Sequence, residues 1–588
     1  MIPEEDWRFG HEPAEHREPA DEAANPEPAR VGLSHARLNN PVYVVTAEHL
    51  GWYAIATWAV LTRLLALGAR PLDPVQAQAA LLELAIARDG LAAIVANPGL
   101  HASWPEILQA WIFATFGAND LTSRIVLAAC ALLLIAATFV IRPYLGRAGA
   151  LASAAMLALS PSLTYYSRGS STALCSLAFM MVSIALALSM RRRRYPARAI
   201  GLGCAIALWL SADPIGYATA ATVLVSLAFI GLFDLLTVDH RRLRLRIWWE
   251  QRRTIVLITA MVALFVWFWM ATGMLTSSLS AALARDMPAA FSTDVVGFER
   301  GIRMFVPLFG FYEFLIAVLA IVGAIVIASR AIVGPLARWS IVWAIVSVAF
   351  FLSIGATTPD GVAAMIIPLA LVAGFGVEWM HDSARWVSIR IPLAAFAALT
   401  LYIQVMTNFV FPAPDASEKP WNRHALLFWS EPATTIQTPL ECARARASVS
   451  SDSATAMIPD DAPQISWYLR SLAPTDIREA ANIAVSIPDK IDSGALGNPS
   501  PSQFGFEESW TPAYDRLTVI DAFQYLFTQR VWRAGDQRAG DQNDVQIRDL
   551  DLVVRRPSGP PAATVILAPE SSPLPVATPT PTPSSTSD

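Results

Sequence analysis

The residues able to do chemistry in the first 410 positions are few and widely spaced. Asp73 sits in Arg70-Pro-Leu-Asp73-Pro, just past the first long apolar run. An Asp-Pro pair opens turns, and the same carboxylate could act as a base. His101 is the one histidine in the loops expected on the outer side of the chain; it could contact a phosphate or ligate a metal, although a lone imidazole makes no metal site. Arg168 follows Tyr165 and Tyr166, placed either to hold a lipid phosphate or to anchor the chain at a membrane interface. Arg63 lies inside an apolar run, where it either snorkels outward or lines a cavity. Asp213 and Asp294 read as ordinary loop residues.

The elements that must position these groups are membrane spans. The chain has 588 residues, 54% hydrophobic and 15% charged, against roughly 25% charged for an ordinary soluble domain. Its mean hydropathy is +0.43. A net charge of -5 gives no general attraction to nucleic acid, and four cysteines make no disulfide scaffold. About eleven apolar runs are long enough to cross about 30 Å of hydrocarbon. They lie near 51–68, 122–141, 148–164, 172–190, 198–212, 215–236, 254–275, 308–328, 339–355, 361–379 and 391–409. With the N-terminus in the cytoplasm, about 17 arginines fall in inward loops and about 6 in outward ones. An odd count then places everything after Phe409 outside the cytoplasm.

Residues 1–47 read as a disordered acidic cytoplasmic tail: the first 31 hold nine acids and three arginines, with no basic region ahead of an apolar stretch. Residues 48–411 form the transmembrane domain, with an outer loop at 70–121. Two amphipathic stretches within it, Val75 to Ala87 and Trp104 to Phe116, would lie at the outer lipid surface. Residues 412–568 read as a small extracytoplasmic α+β domain. Its helices are expected near Thr435 to Ala447, Pro463 to Leu472 and Val519 to Trp532, and its strands near Asn482 to Ile487, Val545 to Val554 and Thr564 to Ala568. Residues 569–588 are a Pro/Ser/Thr-rich tail. The fold class is therefore mainly α, a polytopic helical membrane domain followed by a small α+β domain.

Several segments, in order, resemble the GT-C superfamily of polytopic glycosyltransferases, relatives of protein mannosyltransferases. Arg70-Pro-Leu-Asp-Pro-Val-Gln-Ala77 looks like that family's first-loop motif, and Asn97-Pro-Gly-Leu-His-Ala102 like its Asp-Pro-x-x-His-Gly. Phe116-Gly-Ala-Asn-Asp-Leu-Thr-Ser-Arg124, Leu145-Gly-Arg147 and Leu159-Ser-Pro-Ser-Leu-Thr-Tyr-Tyr-Ser-Arg168 also fit. Trp467-Tyr-Leu-Arg470 and Tyr525-Leu-Phe-Thr-Gln-Arg530-Val-Trp532 resemble the bacterial and archaeal branch named for an association with flippase activity. The resemblance implies transfer of a sugar from a polyprenyl-phosphate carrier to an acceptor on the outer face of the membrane. That chemistry needs a first-loop carboxylate, sometimes with a divalent metal ion, and cations or helix N-termini around the departing phosphate. On this reading Asp73 is the catalytic carboxylate, and Arg63, Arg70, His101, Tyr165, Tyr166 and Arg168 surround the lipid phosphate.

The chain departs from the family pattern at polar positions. The first-loop Asp-Glu falls on Val75 and Gln76, and the acid after Tyr-Tyr-Ser-Arg on Ala173. A Lys-Glu pair falls on Asp213 and Pro214, and a Glu-Lys-x-Pro-Trp segment on Ala356-Thr-Thr-Pro-Asp360. Two functions are therefore open: a divergent transferase, or a catalytically inactive partner of another glycosyltransferase or of a lipid-linked glycan flippase. Bilayer lipid and a lipid-linked sugar are partners on either reading; nucleic acid is not. A transporter has less support, because the spans carry few interior charges and no inverted repeat.

Overall fold

The computed structural model describes residues 46–68, 72, 74–90, 92, 102–169, 172–190, 195–237, 241–272, 308–330, 334–353, 359–383 and 386–410. Beyond these it describes 430–432, 455–457, 463–470, 473–474, 483–486, 502–510 and 545–554. Every apolar run read as a span carries helix. Among the described residues, six helices are long and apolar enough to cross a membrane: Thr122–Leu145, Ile215–Leu236, Glu250–Ala271, Pro335–Ser353, Gly361–Asp382 and Ser388–Val405. Four shorter apolar helices, Arg147–Leu159, Ala173–Ser189, Pro196–Ala212 and Phe314–Ser329, occupy further runs, and Ala47–Leu64 the first. By helix composition this is a multi-pass membrane protein.

In chain order, α1 is Ala47–Leu64, α2 Pro74–Asp89, α3 Trp104–Phe116, α4 Ile125–Leu145, α5 Arg147–Leu159, α6 Pro161–Ser167, α7 Ala173–Ser189 and α8 Pro196–Ala212. Then come α9 Ile215–Thr237, α10 Arg241–Ala271, α11 Phe314–Ser329, α12 Pro335–Ser353, α13 Pro359–Asp382, α14 Trp386–Val405 and a short α15, Pro463–Tyr468. The Gly361–Asp382 window is 83% buried against 6% for Glu250–Ala271, so α13 is the axis of the bundle and α10 lies at its rim. Around α13 pack α5, α11 and α12.

Small residues let these helices approach closely, as apolar surroundings favour. A methyl at Gly323 of α11 would overlap the Val372 carbonyl of α13, and one at Gly376 would come within 2.9 Å of the Gly323 nitrogen. Because the obstacle is backbone, Gly323→Ala is expected to push α11 from α13 and cost about 1–3 kcal/mol. Gly231 of α9 meets nothing within 4 Å. Gly231→Ala is then expected to be neutral or slightly stabilising, since alanine favours helix. Thermal unfolding in detergent checks both, and equal melting of the two variants would refute the packing argument.

Charges pair at the helix ends. Arg142, near the end of α4, lies 2.5 Å from Glu48 at the start of α1, and Arg338 of α12 lies 3.9 Å from Asp234 of α9. Glu378 of α13 accepts the Gly149 N–H in the first turn of α5 at 2.7 Å.

Beyond the bundle, six strands form one sheet in the order β1-β5-β6-β4-β2-β3, where β1 is Ser430–Pro432, β2 Thr455–Met457, β3 Ala473–Pro474, β4 Ile483–Ser486, β5 Ser502–Trp510 and β6 Val545–Val554. The long β5 and β6 pair antiparallel. The expected strands at 482–487 and 545–554 coincide with β4 and β6, and the helix expected from Pro463 with α15. The elements expected at 435–447, 519–532 and 564–568 lie outside the described residues.

Candidate functional site

The site is built at the end of the bundle where α1 stops and α2 and α3 lie across it. Proline at the first position of α2 suits a helix start, since its missing N–H would have had no partner there. At the start of α3, Ser103 and Glu106 form a capping pair: the Ser103 N–H donates to Glu106 Oε2 at 2.5 Å and the Ser103 hydroxyl donates to the same oxygen at 3.1 Å. Gln109 ties α3 to α4. Its Nε2 donates to the Thr122 carbonyl, and its Oε1 accepts the Val126 N–H at 3.4 Å. Asn119 Oδ1 accepts from the N–H groups of Leu121 and Thr122, at 3.0 and 2.8 Å, and so starts the turn that leads into α4.

These elements line a small, partly open cavity of about 30 Å³, where Gln76, Glu83, Glu106, Gln109, Arg124 and Thr172 stand among apolar neighbours such as Ala79, Pro105, Val126 and Leu127. Such a volume takes a water molecule. Arg124 is fully buried; its Nη2 and Nε donate to Gln76 Oε1 at 2.6 and 3.3 Å and its Nη1 to the Leu67 carbonyl at 2.9 Å. Glu83 is 7% exposed, and its Oε2 is sealed from solvent with no hydrogen-bond partner. Burial, and then the charge of Glu106, hold the Glu83 carboxyl well above the usual carboxylate range.

Beside the cavity the loop between α1 and α4 meets the segment around α15. Asp120 is buried and accepts from Trp467 Nε1 at 2.8 Å and from the Tyr468 hydroxyl at 2.9 Å. The same hydroxyl accepts the Leu72 N–H at 3.1 Å. Arg470 lies over the Trp467 ring at 4.0 Å and donates to the Ala118 carbonyl at 2.6 Å. Burial and the Asp120 charge push the Tyr468 phenol up, so it stays a donor.

No protein-family model matches the sequence, and no curated protein matches it. Among solved structures, ArnT from Cupriavidus metallidurans bound to undecaprenyl phosphate superposes with a TM-score of 0.48 at 14% identity, over 78% of this chain and 97% of that one. Its apo form gives 0.49 at 15% identity, over the same shares. The Archaeoglobus fulgidus oligosaccharyltransferase gives 0.44 at 12% identity, over 74% of this chain and 64% of that one. The chain is similar in structure to these proteins at low identity.

The residues singled out in the sequence divide into three groups. Asp73, Arg70, His101 and Asp294 lie outside the described residues. Arg63 and Arg168 sit at helix ends. Arg63, 1% exposed, donates to the carbonyls of Leu157 and Ala158 at the end of α5, at 3.0 and 3.3 Å. Arg168 donates to the carbonyls of Thr62, Leu65 and Ala66 past the end of α1, at 3.1, 2.6 and 3.0 Å, and lies over the Phe409 ring at 4.6 Å. Ala66 has φ 51°, a left-handed turn that alanine adopts at a cost, and the clamp from Arg168 holds it. Tyr165 and Tyr166 stack edge to face at 5.5 Å, with Tyr166 in the core. Asp213 starts α9, accepting from the Ile215 N–H at 2.9 Å and the Thr172 hydroxyl at 2.5 Å.

Glu83, Glu106 and the bond of Gln76 to Arg124 were not picked out as site residues. The signal for Glu106 was Ser103-x-x-Glu106, a capping box. For Glu83 it was a lone acid in Ala79-Ala-Leu-Leu-Glu-Leu-Ala-Ile86.

Proposed function

We propose that this chain transfers a sugar from a polyprenyl-phosphate carrier to an acceptor on the outer face of the membrane, with its N-terminus in the cytoplasm and residues 412–568 outside. The observation that carries this reading is the cavity under the first outer loop, where Glu83, Glu106 and Arg124 meet at the end of the helix bundle. Carboxylates beside a guanidinium are what transfer from a phosphate ester requires: one to manage the acceptor proton, the other partner to steady the leaving phosphate. Asp73, Arg70 and His101 belong to the same segment of the sequence, with Asp73 proposed as a further carboxylate of the reaction and Arg70 and His101 as further phosphate contacts. Among the described residues no three of His, Cys, Asp and Glu gather to hold a metal ion.

The second reading, an inactive partner of another transferase or of a lipid-linked glycan flippase, is favoured by Arg63 and Arg168. Both give their guanidinium bonds to backbone carbonyls. One assay separates the readings. The purified chain is reconstituted in liposomes with radiolabelled undecaprenyl-phosphate hexoses and pentoses, and a membrane extract supplies acceptors. Label moving off the carrier is the expected result. Inertness towards every donor would overturn the transferase reading in favour of the partner.

A further inference from the structure

Gln76 and Glu83 stand seven residues apart on α2, two turns along one helix face, and both wall the same cavity. The resemblance expects a carboxylate at 75–76, where this chain has Val75 and Gln76. Glu83 is out of place as a structural residue. Its carboxyl is buried, Oε2 has no partner, and leucines flank it on both sides. A buried polar atom without a bond is costly to the fold, and an apolar side chain here would remove that cost. Such groups persist where the chemistry uses them.

Every element packed around Glu83 brings charged or titratable groups. From α3 comes Glu106, held by Ser103. From the turn before α4 comes Arg124, bound to Gln76 and to the Leu67 carbonyl. Helix α15 also packs against α2, and its Tyr468 is taken up by Asp120 and the Leu72 N–H. On α2 itself, Arg88 and Asp89 lie in its last turn. Glu106 is thus committed to a helix start and Arg124 to its neighbours, and the carboxyl with an oxygen to spare is Glu83.

We propose that Glu83 is the proton acceptor of the transfer reaction, the acid absent at Gln76 having its counterpart two turns further along the same face of α2. This rests on the transferase reading above. In the step, an acceptor hydroxyl gives its proton to a Glu83 carboxylate oxygen while the hydroxyl oxygen bonds to the anomeric carbon. The bond from that carbon to the carrier's phosphate oxygen breaks, and its electron pair leaves on the polyprenyl phosphate. The proton passes to water when product leaves. Burial and the adjacent Glu106 charge raise the proton affinity of the group, so it takes a proton strongly once ionised and activity rises with pH beyond the ordinary glutamate range.

The test uses the full chain in liposomes with the undecaprenyl-phosphate sugars named above. Glu83→Gln is expected to lower transfer by about 100-fold or more and to flatten the pH profile. Glu83→Asp is expected to recover part of the rate, with the pH midpoint shifted, and both variants are expected to melt no lower than wild type. Glu83→Gln transferring within about threefold of wild type, with an unchanged pH profile, would overturn the proposal while leaving the transferase reading intact. A Glu83→Gln chain that melts well below wild type, with no recovery in Glu83→Asp, would overturn it in favour of a structural role. Wild type inert towards all donors removes the transferase reading, and this proposal with it.

Discussion

Asp120→Ala is expected to free residues 463–470 from the first outer loop. The carboxylate accepts from Trp467 Nε1 and from the Tyr468 hydroxyl, and a hydrogen bond to a charged group contributes about 1.5–3 kcal/mol. Trp467 and Tyr468 are 0% and 2% exposed, so losing the acceptor strands two buried donors. A local loss of about 3–5 kcal/mol follows, which is roughly 150- to 5000-fold more of the undocked form. Trypsin reads this at one peptide bond. Arg470 is held by the Ala118 and Trp467 carbonyls and covers the Trp467 ring, so cleavage after it requires undocking. When opening is fast relative to cleavage, the rate follows the open population. Cleavage after Arg470 in nanodisc-held protein should accelerate by that factor in Asp120→Ala, and by less in Trp467→Phe, which loses one of the two bonds. Equal cleavage in wild type and Asp120→Ala would refute the docking role.

The second large effect is expected from Arg63→Ala. Helix α5 ends at Leu159 and α6 begins at Pro161, so the chain breaks helix inside the bundle and leaves carbonyls without helical partners. No water is at hand in an apolar interior, and side chains supply the donors. Arg63 serves Leu157 and Ala158. The Gln404 amide serves Ala158 at 2.8 Å, and Asn408 serves Pro161 at 3.3 Å. On the far side of the break, Glu313 accepts from the Ser160 hydroxyl at 2.7 Å and the Ser162 N–H at 3.1 Å. A cation thus stands at the carbonyl end of one helix and a carboxylate at the N–H end of the next, the arrangement the helix dipoles favour.

Removing Arg63 strips the buried Leu157 carbonyl of its side-chain donor and the Ala158 carbonyl of one of two, at about 1–3 kcal/mol for each carbonyl left bare. Arg63→Ala should therefore melt far below wild type in detergent. Arg63→Lys should fall between, because an ammonium lacks the planar fork that reaches two carbonyls at once. Unchanged melting with lost transfer would instead make Arg63 a substrate contact.

The helices were legible because each is one long apolar run; the arginine bias supports the topology proposed for them. The two helices of the outer loop were legible as amphipathic stretches. Arg63 was legible as an anomaly, a charge in an apolar helix. Its partners were not, because a bond to a backbone carbonyl leaves no mark on the residue that supplies it. Asp120 lay in a quoted motif, but its partners stand 347 and 348 positions away, and no local pattern joins them. Glu83 was not legible, because a single acid among alanines and leucines on an amphipathic helix reads as part of its solvent-facing stripe. Strand β5 was missed because Ser502–Trp510 mixes glycine and acids without clean alternation, and its register slips between Gly505 and Glu507.

The contact between Asp120 and Trp467 also sets an order in time. At roughly 5–20 residues per second, the 347 positions that separate them take roughly 20–70 s to synthesise. Through that interval the first outer loop has its α2 and α3 in place but no partner for the Asp120 carboxylate, and the Leu72 N–H lacks the Tyr468 oxygen that accepts it. The loop that walls the cavity is therefore among the first outer segments made and among the last completed. A nascent chain cut short before residue 467 carries a full set of membrane helices and an unfinished site.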